Sequence, residues 1–132
     1  MGFYIFAHRV NAAGPLTTAL RYGANALEID VTRTRSGYWA WHGTDVVDHV
    51  SRPLEAHLRD IARRLMRPEG QHVSLLVFDL KYKSHRNREM TAPRINAVRQ
   101  MVRDLVLTPV NAPETGAGQG GLVALYGMTS DQ

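Results

Sequence analysis

The stretch "GANALEIDVT", residues 23–32, places two carboxylates, Glu28 and Asp30, inside an otherwise apolar run. Ala26, Leu27, Ile29 and Val31 give the run the character of a buried strand, and Gly23 punctuates its start. Side chains two residues apart on a strand point the same way, so Glu28 and Asp30 share one face at the strand's end. Burying two unpaired negative charges is costly, so a bound cation, a nearby arginine or protonation has to compensate them.

The surrounding sequence has a regular plan. Residues 72–82, "HVSLLVFDLKY", are nearly continuous in hydrophobic character, the mark of a strand covered on both faces, and Asp79 and Lys81 share one of those faces. Residues 3–8, "FYIFAH", read as a first strand. Leu16, Ala19 and Leu20 mark a short helix closed by Gly23. After the turn "RTRSG" comes "YWAWH", a short aromatic strand ending at His42. Between Arg52 and Arg67, Leu54, Leu58, Ile61, Ala62, Leu65 and Met66 follow helical spacing with Pro53 suited to the first turn, and Pro68 and Gly70 stop that helix. Ile95, Val98, Val102, Leu105 and Val106 predict another helix, "TPVNAPETGAGQGG" (108–121) a long loop, and "LVALYGM" a last strand. Strands alternating with helices imply an α/β fold with a mainly parallel sheet. Right-handed crossovers narrow the choice to a doubly wound sheet or part of a (β/α)8 barrel.

Bulk properties bound the function. At 132 residues the chain is one ordinary domain or part of a larger one, and 44% hydrophobic with 21% charged residues is a globular composition. No run of about 18 apolar residues is present to span a membrane. The N-terminal "MGFYIFAHRV" has neither a basic leader region nor a small-residue cleavage site, and the absence of cysteine excludes disulfides and thiol chemistry. Fourteen Arg and two Lys give a net charge of +4, which suits phosphates, nucleic acid or a lipid surface. However, Arg59, Arg63, Arg64, Arg67, Arg99 and Arg103 fall on the polar faces of predicted helices, where a solvated surface is the simpler reading. No zinc-finger spacing, aromatic RNA-binding box or helix-turn-helix pattern points to nucleic acid.

The chemistry-bearing residues are His8, Glu28, Asp30, His42, Asp79 and Lys81, all near C-terminal strand ends, the rim on which α/β barrels build active sites. Glu28, Asp30 and Asp79 make an all-oxygen donor set suited to Mg²⁺ or Ca²⁺ rather than zinc. Lys81 adds a positive contact for a phosphate. His8 and His42 can accept a proton, donate one or attack phosphorus. Taken singly, each residue has a plainer role: a strand-end histidine satisfied locally, acids paired with arginine, Asp79 and Lys81 as a surface ion pair. It is their combination that predicts phosphodiester cleavage. His49, His57, His72 and His85 read as loop or helix-surface residues. Trp39 and Trp41 read as core or edge packing, with a lipid-facing rim as the alternative. "GAGQGG" lacks the Lys-Ser/Thr ending of a phosphate loop and reads as a flexible connection.

"AHRVN" with "GANALEIDVT", then "YWAWHGT" and "FDLKYK", resembles the sphingomyelinase D-like phospholipases D, the group of the spider-venom dermonecrotic toxins and their fungal and actinobacterial relatives, itself related to glycerophosphodiester phosphodiesterases. The likeness runs from about residue 3 to 83. His-Arg-Val-Asn in place of the His-Arg-Gly usual in the phosphodiesterases favours the toxin-like branch. The resemblance implies a (β/α)8 barrel, with Mg²⁺ held by the residues matching Glu28, Asp30 and Asp79. It makes His8 and His42 the acid-base and nucleophilic histidines and Lys81 a phosphate contact. It also implies release of choline from sphingomyelin or lysophosphatidylcholine by attack of the substrate's own hydroxyl, leaving a cyclic phosphate. The implied partners are a choline-bearing phospholipid and a peripheral membrane surface, and the implied localisation is secreted, although no leader is visible. The cysteines that staple the loop after the second histidine in the venom enzymes have no counterpart in "HGTDVVDH". About four barrel strands plus the small aromatic strand are countable, against about 250 residues for a whole barrel. The expectation for residues 1–132 is thus a single partial domain, the N-terminal catalytic half of a phosphodiesterase TIM barrel. The competing expectations are a glycerophosphodiester phosphodiesterase, or an inactive truncated fragment that binds lipid or a partner.

Overall fold

The computed structural model describes residues 3–43, 52–82, 88–112 and 121–129. The elements are β1 (Phe6–Ala7), α1 (Ala13–Arg21), β2 (Ala26–Thr34), β3 (Gly37–Ala40), β4 (Arg52–Pro53), α2 (Leu54–Leu65), β5 (Leu75–Lys81), α3 (Ala92–Val102), α4 (Thr108–Val110) and β6 (Val123–Thr129). A 3-10 turn, Pro68–Gly70, ends the α2 segment, and a π-helical turn, Arg103–Leu107, joins α3 to α4.

All six strands join one sheet. β1, β2, β5 and β6 run parallel and lie side by side in chain order, with Phe6 opposite Ala26, Asp30 opposite Asp79, and Lys81 opposite Thr129. β3 turns back antiparallel along β2 from Val31 to Thr34, and β4 pairs outside it. Because opposed residues share a face, the register sorts the sheet into two surfaces. Leu27, Ile29, Val31, Leu76, Phe78 and Leu80 are buried in one cluster with Leu16 and Leu20 of α1, Leu54, Leu58, Ile61 and Leu65 of α2, and Val98 and Val102 of α3. α1 touches α2, and α2 touches the π-helical turn, so the helices form one layer. Strands in chain order under a single helical layer differ from a doubly wound sheet, which reverses its strand order and carries helices on both sides.

The opposite surface carries Phe6 and His8, then Ala26, Glu28 and Asp30, then Leu75, Val77, Asp79 and Lys81, then Val123, Leu125, Gly127 and Thr129. Its lower part is apolar, with Phe6, Val123 and Leu125 about half exposed, and its upper part is polar.

The structure departs from the sequence reading in five places. Arg52 and Pro53 form β4 against β3 rather than the first turn of α2, which starts at Leu54. β1 pairs only over Phe6–Ala7, with Phe3, Tyr4 and Ile5 exposed ahead of it. β2 runs on through Arg33 and Thr34, which read as turn residues, because β3 supplies them with antiparallel partners. Thr108–Val110 is helical rather than loop, with the π-helical turn carrying the helix up to Pro109. His57 is not a helix-surface residue: it sits fully buried on the apolar stripe of α2, three residues from Leu54 and four from Ile61. His72 is exposed, as expected. The segment after His42 with His49, the segment with His85, and most of "GAGQGG" lie outside the described residues.

Candidate active site

The parallel part of β2 ends at Val31 opposite Leu80, so Glu28, Asp30 and Asp79 stand at the C-terminal end of the parallel layer. His8 follows β1 directly, and His42 lies two residues past β3. Gly43, at φ 92°, turns the chain there, and a Cβ on it would meet Thr32 Oγ1 at 3.1 Å. Thr32 Oγ1 in turn donates to the Trp41 carbonyl at 2.7 Å, and the Trp41 N–H donates to the Asp30 carbonyl at 3.0 Å, which ties the start of the His42 loop to β2. Trp41 is buried, in line with core packing, and Trp39 donates its indole N–H to Ser36.

Asp30 is the most enclosed acid. Its Oδ2 accepts from Asn11 Nδ2 at 3.0 Å, its own N–H donates to Asn11 Oδ1 at 2.9 Å, and Lys81 Nζ lies 3.4 Å from its Oδ1. Lys81 Nζ donates to Asp79 Oδ2 at 2.8 Å, and Thr129 Oγ1 donates to Asp79 Oδ1 at 2.8 Å. Compensation for the acid in the core therefore comes from an ammonium shared by two aspartates and from an asparagine clamp, with no arginine on either aspartate among the described residues. Lys81 is itself buried. Burial works against its charge, but the hydrogen bond to Asp79 and the pull of both aspartates outweigh it and hold the pKa above the ordinary lysine value. This pair is an enclosed one, unlike the surface ion pair that Asp79 and Lys81 suggest in isolation.

Glu28 faces His8, with Oε1 3.3 Å from His8 Nδ1. A carboxylate only accepts, so Nδ1 of the exposed His8 is the donor in this contact. Arg9 Nη2 lies 3.1 Å from His42 Nε2, and since a guanidinium only donates, that nitrogen accepts. Arg9 holds φ at 53°, a left-handed conformation that costs a non-glycine residue about 1–2 kcal/mol.

The donor set Glu28, Asp30 and Asp79 fits a hard cation by its chemistry, oxygen only. Among the described residues, however, no three His, Cys, Asp or Glu side chains stand close enough together to hold a metal ion. Both oxygens of each aspartate are engaged by Lys81, Asn11 or Thr129, which leaves Glu28 Oε2 as the oxygen of this set with no such bond among the described residues.

Arg9, Asn11 and Thr129 belong to this site although the sequence reading gave them no role. Arg9 and Asn11 lie inside the quoted "AHRVN", where the polar residues flanking His8 were the available signal. Thr129 is 50 residues from Asp79 and gave none.

The Sphingomyelinase D/Phospholipase D family model matches residues 1–112. The chain belongs to this family. A sphingomyelinase D of Trichophyton rubrum is 38% identical over 86 residues, 60% of this chain and 24% of that protein. A sphingomyelinase D of Arthroderma benhamiae is 35% identical over 103 residues, 76% of this chain and 27% of that protein. A dermonecrotic toxin of Loxosceles sp. is 30% identical over 108 residues, 76% of this chain and 39% of that protein. The matches thus span about a quarter to two-fifths of the relatives' lengths. Family membership agrees with the resemblance carried by "AHRVN", "GANALEIDVT" and "FDLKYK".

Proposed function

We propose that this chain is the N-terminal catalytic half of a phospholipase D that expels choline from sphingomyelin or lysophosphatidylcholine through attack of the substrate's own hydroxyl, leaving a cyclic phosphate. The observation that carries the reading is that His8, Glu28, Asp30, Asp79 and Lys81 share one sheet face toward its C-terminal end, with His42 held by Arg9 next to His8, in a member of the sphingomyelinase D/phospholipase D family. The half-barrel architecture is supported by four parallel strands in chain order, one helical layer, and a free face that is apolar below and polar above. On this reading, the outer edges of β1 and β6, which pair with no strand among the described residues, are where the remaining strands of a barrel pair.

His8 is the base: Nε2 takes the proton of the attacking hydroxyl, and Glu28 at Nδ1 stabilises the imidazolium that forms. The new bond joins the hydroxyl oxygen to phosphorus, and the bond to the choline oxygen breaks. A phosphate oxygen is a stronger acceptor for Arg9 than a neutral imidazole, so bound substrate draws the guanidinium from His42 Nε2. Once the guanidinium has moved, that nitrogen takes a proton from solvent and passes it to the departing choline oxygen. Lys81, anchored by Asp30 and Asp79, turns its remaining N–H toward the phosphate. Glu28, Asp30 and Asp79 do not stand close enough together here to hold a metal ion; drawn together, they are the carboxylates that would hold Mg²⁺, which would supply charge neutralisation at the phosphate oxygens. A membrane surface as the source of substrate, and a secreted location, belong to the same reading and are supported by the match to a dermonecrotic toxin.

Choline release from lysophosphatidylcholine in the presence of Mg²⁺ is the test. His42→Ala is expected to lower turnover by roughly 10²- to 10⁴-fold. Turnover within a few-fold of the parent would remove the acid role, and preference for glycerophosphocholine would move the activity to a glycerophosphodiesterase. Vesicle binding without any turnover would leave a lipid-binding fragment.

A further inference from the structure

A second polar chain lies behind the face that carries His8, between α2 and the sheet. Asp60 Oδ2 accepts from Arg52 Nη2 at 2.7 Å, and Arg52 Nε donates to His57 Nδ1 at 2.7 Å. His57 Nε2 lies 2.6 Å from the Val10 carbonyl oxygen. Since the guanidinium can only donate, Nδ1 accepts and the imidazole proton is on Nε2, donated to Val10. Both ring nitrogens are used, on a side chain with 0% exposure.

The bond falls at a decisive place. Residues 8–11 cross from β1 to α1 without regular structure. Val10 N–H donates to the Glu28 carbonyl at 2.8 Å, so β2 holds one side of this residue and His57 holds the other. On the N-terminal side stand His8 and Arg9, the latter at φ 53°. On the C-terminal side Asn11 clamps Asp30 with two hydrogen bonds. A leucine would suit the apolar stripe of α2 without the cost of burying a polar ring, so the imidazole is explained by its two bonds and not by packing.

We propose that His57 is a positioning residue: by holding the Val10 carbonyl it sets the peptide on which the His8–Arg9 pair and the Asn11–Asp30 clamp both depend. The positioning of Asn11 and Asp30 stands on geometry alone, and the effect on turnover rests on the phospholipase reading above.

The experiment uses the 132-residue chain, its His57→Leu variant and its His57→Gln variant, whose amide can donate to Val10 and accept from Arg52. Imidazole nitrogen NMR of the parent at neutral pH is expected to find His57 protonated on Nε2 only. Hydrogen exchange of the Asp30 amide, which donates to Asn11, is expected to speed up about tenfold or more in His57→Leu relative to Leu76 in β5, and to return in His57→Gln. Where choline release is measurable, kcat is expected to fall about tenfold in His57→Leu with KM little changed, and His57→Gln to restore it. An Nδ1-protonated or doubly protonated His57 would overturn the proposal. So would Asp30 exchange that follows Leu76 in both variants, which is the behaviour of a core filler. If His57→Leu does not fold, the parent spectrum and the His57→Gln exchange still decide. If the parent releases no choline, the phospholipase reading fails while the nitrogen and exchange results continue to judge the positioning role.

Discussion

Acidification from pH 7 to 4 should weaken the fold through one side chain. Burial is the main reason that His57 is pushed down from 6.5 to about 4; Arg52 adds to the shift, and the Val10 carbonyl and Asp60 oppose it. Below pH 6.5 the unfolded chain takes up a proton at this position and the folded chain does not, so stability falls as pH drops and levels off below about 4. A separation of about 2.5 units at about 1.4 kcal/mol each gives a loss of about 3 kcal/mol through His57. Glutamine does not titrate, so urea unfolding of the parent and of His57→Gln, repeated at intervals across this window, isolates the term. The parent's stability relative to the variant should decline by about 3 kcal/mol between pH 7 and 4. A difference that stays flat with pH would mean that His57 is not held neutral in the core, and the reasoning would be refuted.

Lys81→Met leaves Asp30 and Asp79 facing each other without their ammonium and should cost about 3–5 kcal/mol at pH 7. Added Mg²⁺ should restore part of that loss in thermal melts, and equal melting with and without Mg²⁺ would count against the cation reading. Asn11→Leu strips the clamp from a buried carboxylate and should lower stability by about 1–3 kcal/mol in denaturant unfolding. Arg9→Gly relieves the left-handed backbone at φ 53° and offsets the greater entropy of glycine, so stability should change by less than about 1 kcal/mol. Choline release should nevertheless fall by about tenfold or more, because the phosphate loses a charged contact. Loss of fold without loss of activity per folded molecule would reverse that assignment.

The parts of the fold that were legible in the sequence are the interior strands of the sheet, although the covering on both faces expected of residues 72–82 is met by helices on one face only. β2 and β5 read as continuous apolar runs because helices cover one face and neighbouring strands sit on both edges, and their interrupting acids marked the site. β1 was harder, since an edge strand with exposed Phe3, Tyr4 and Ile5 looks longer in hydrophobicity than it is in pairing. The continuation of α3 through Thr108–Val110 was masked by Pro109, a residue that ordinarily argues for a loop. His57 had a readable signal that was passed over: positions 54, 57, 58, 61 and 65 form one helical stripe, and a polar residue on such a stripe needs buried partners. Those partners, Arg52 and the Val10 carbonyl, were not legible, because the second is a backbone atom 47 residues away. For the same reason Asn11 and Thr129 emerged only when the register brought Asp30 beside Asp79 and Lys81 beside Thr129. The sequence reading gave compensation of the core acids to a cation, an arginine or protonation, whereas Lys81 and Asn11 surround Asp30 here.

Phosphorus NMR of the folded protein with lysophosphatidylcholine and Mg²⁺, run beside His8→Ala, tests the central claim most directly. A cyclic-phosphate resonance that grows with the parent and is lost with His8→Ala is the predicted result. An unchanged substrate resonance with the folded parent, or equal conversion by the variant, would contradict it.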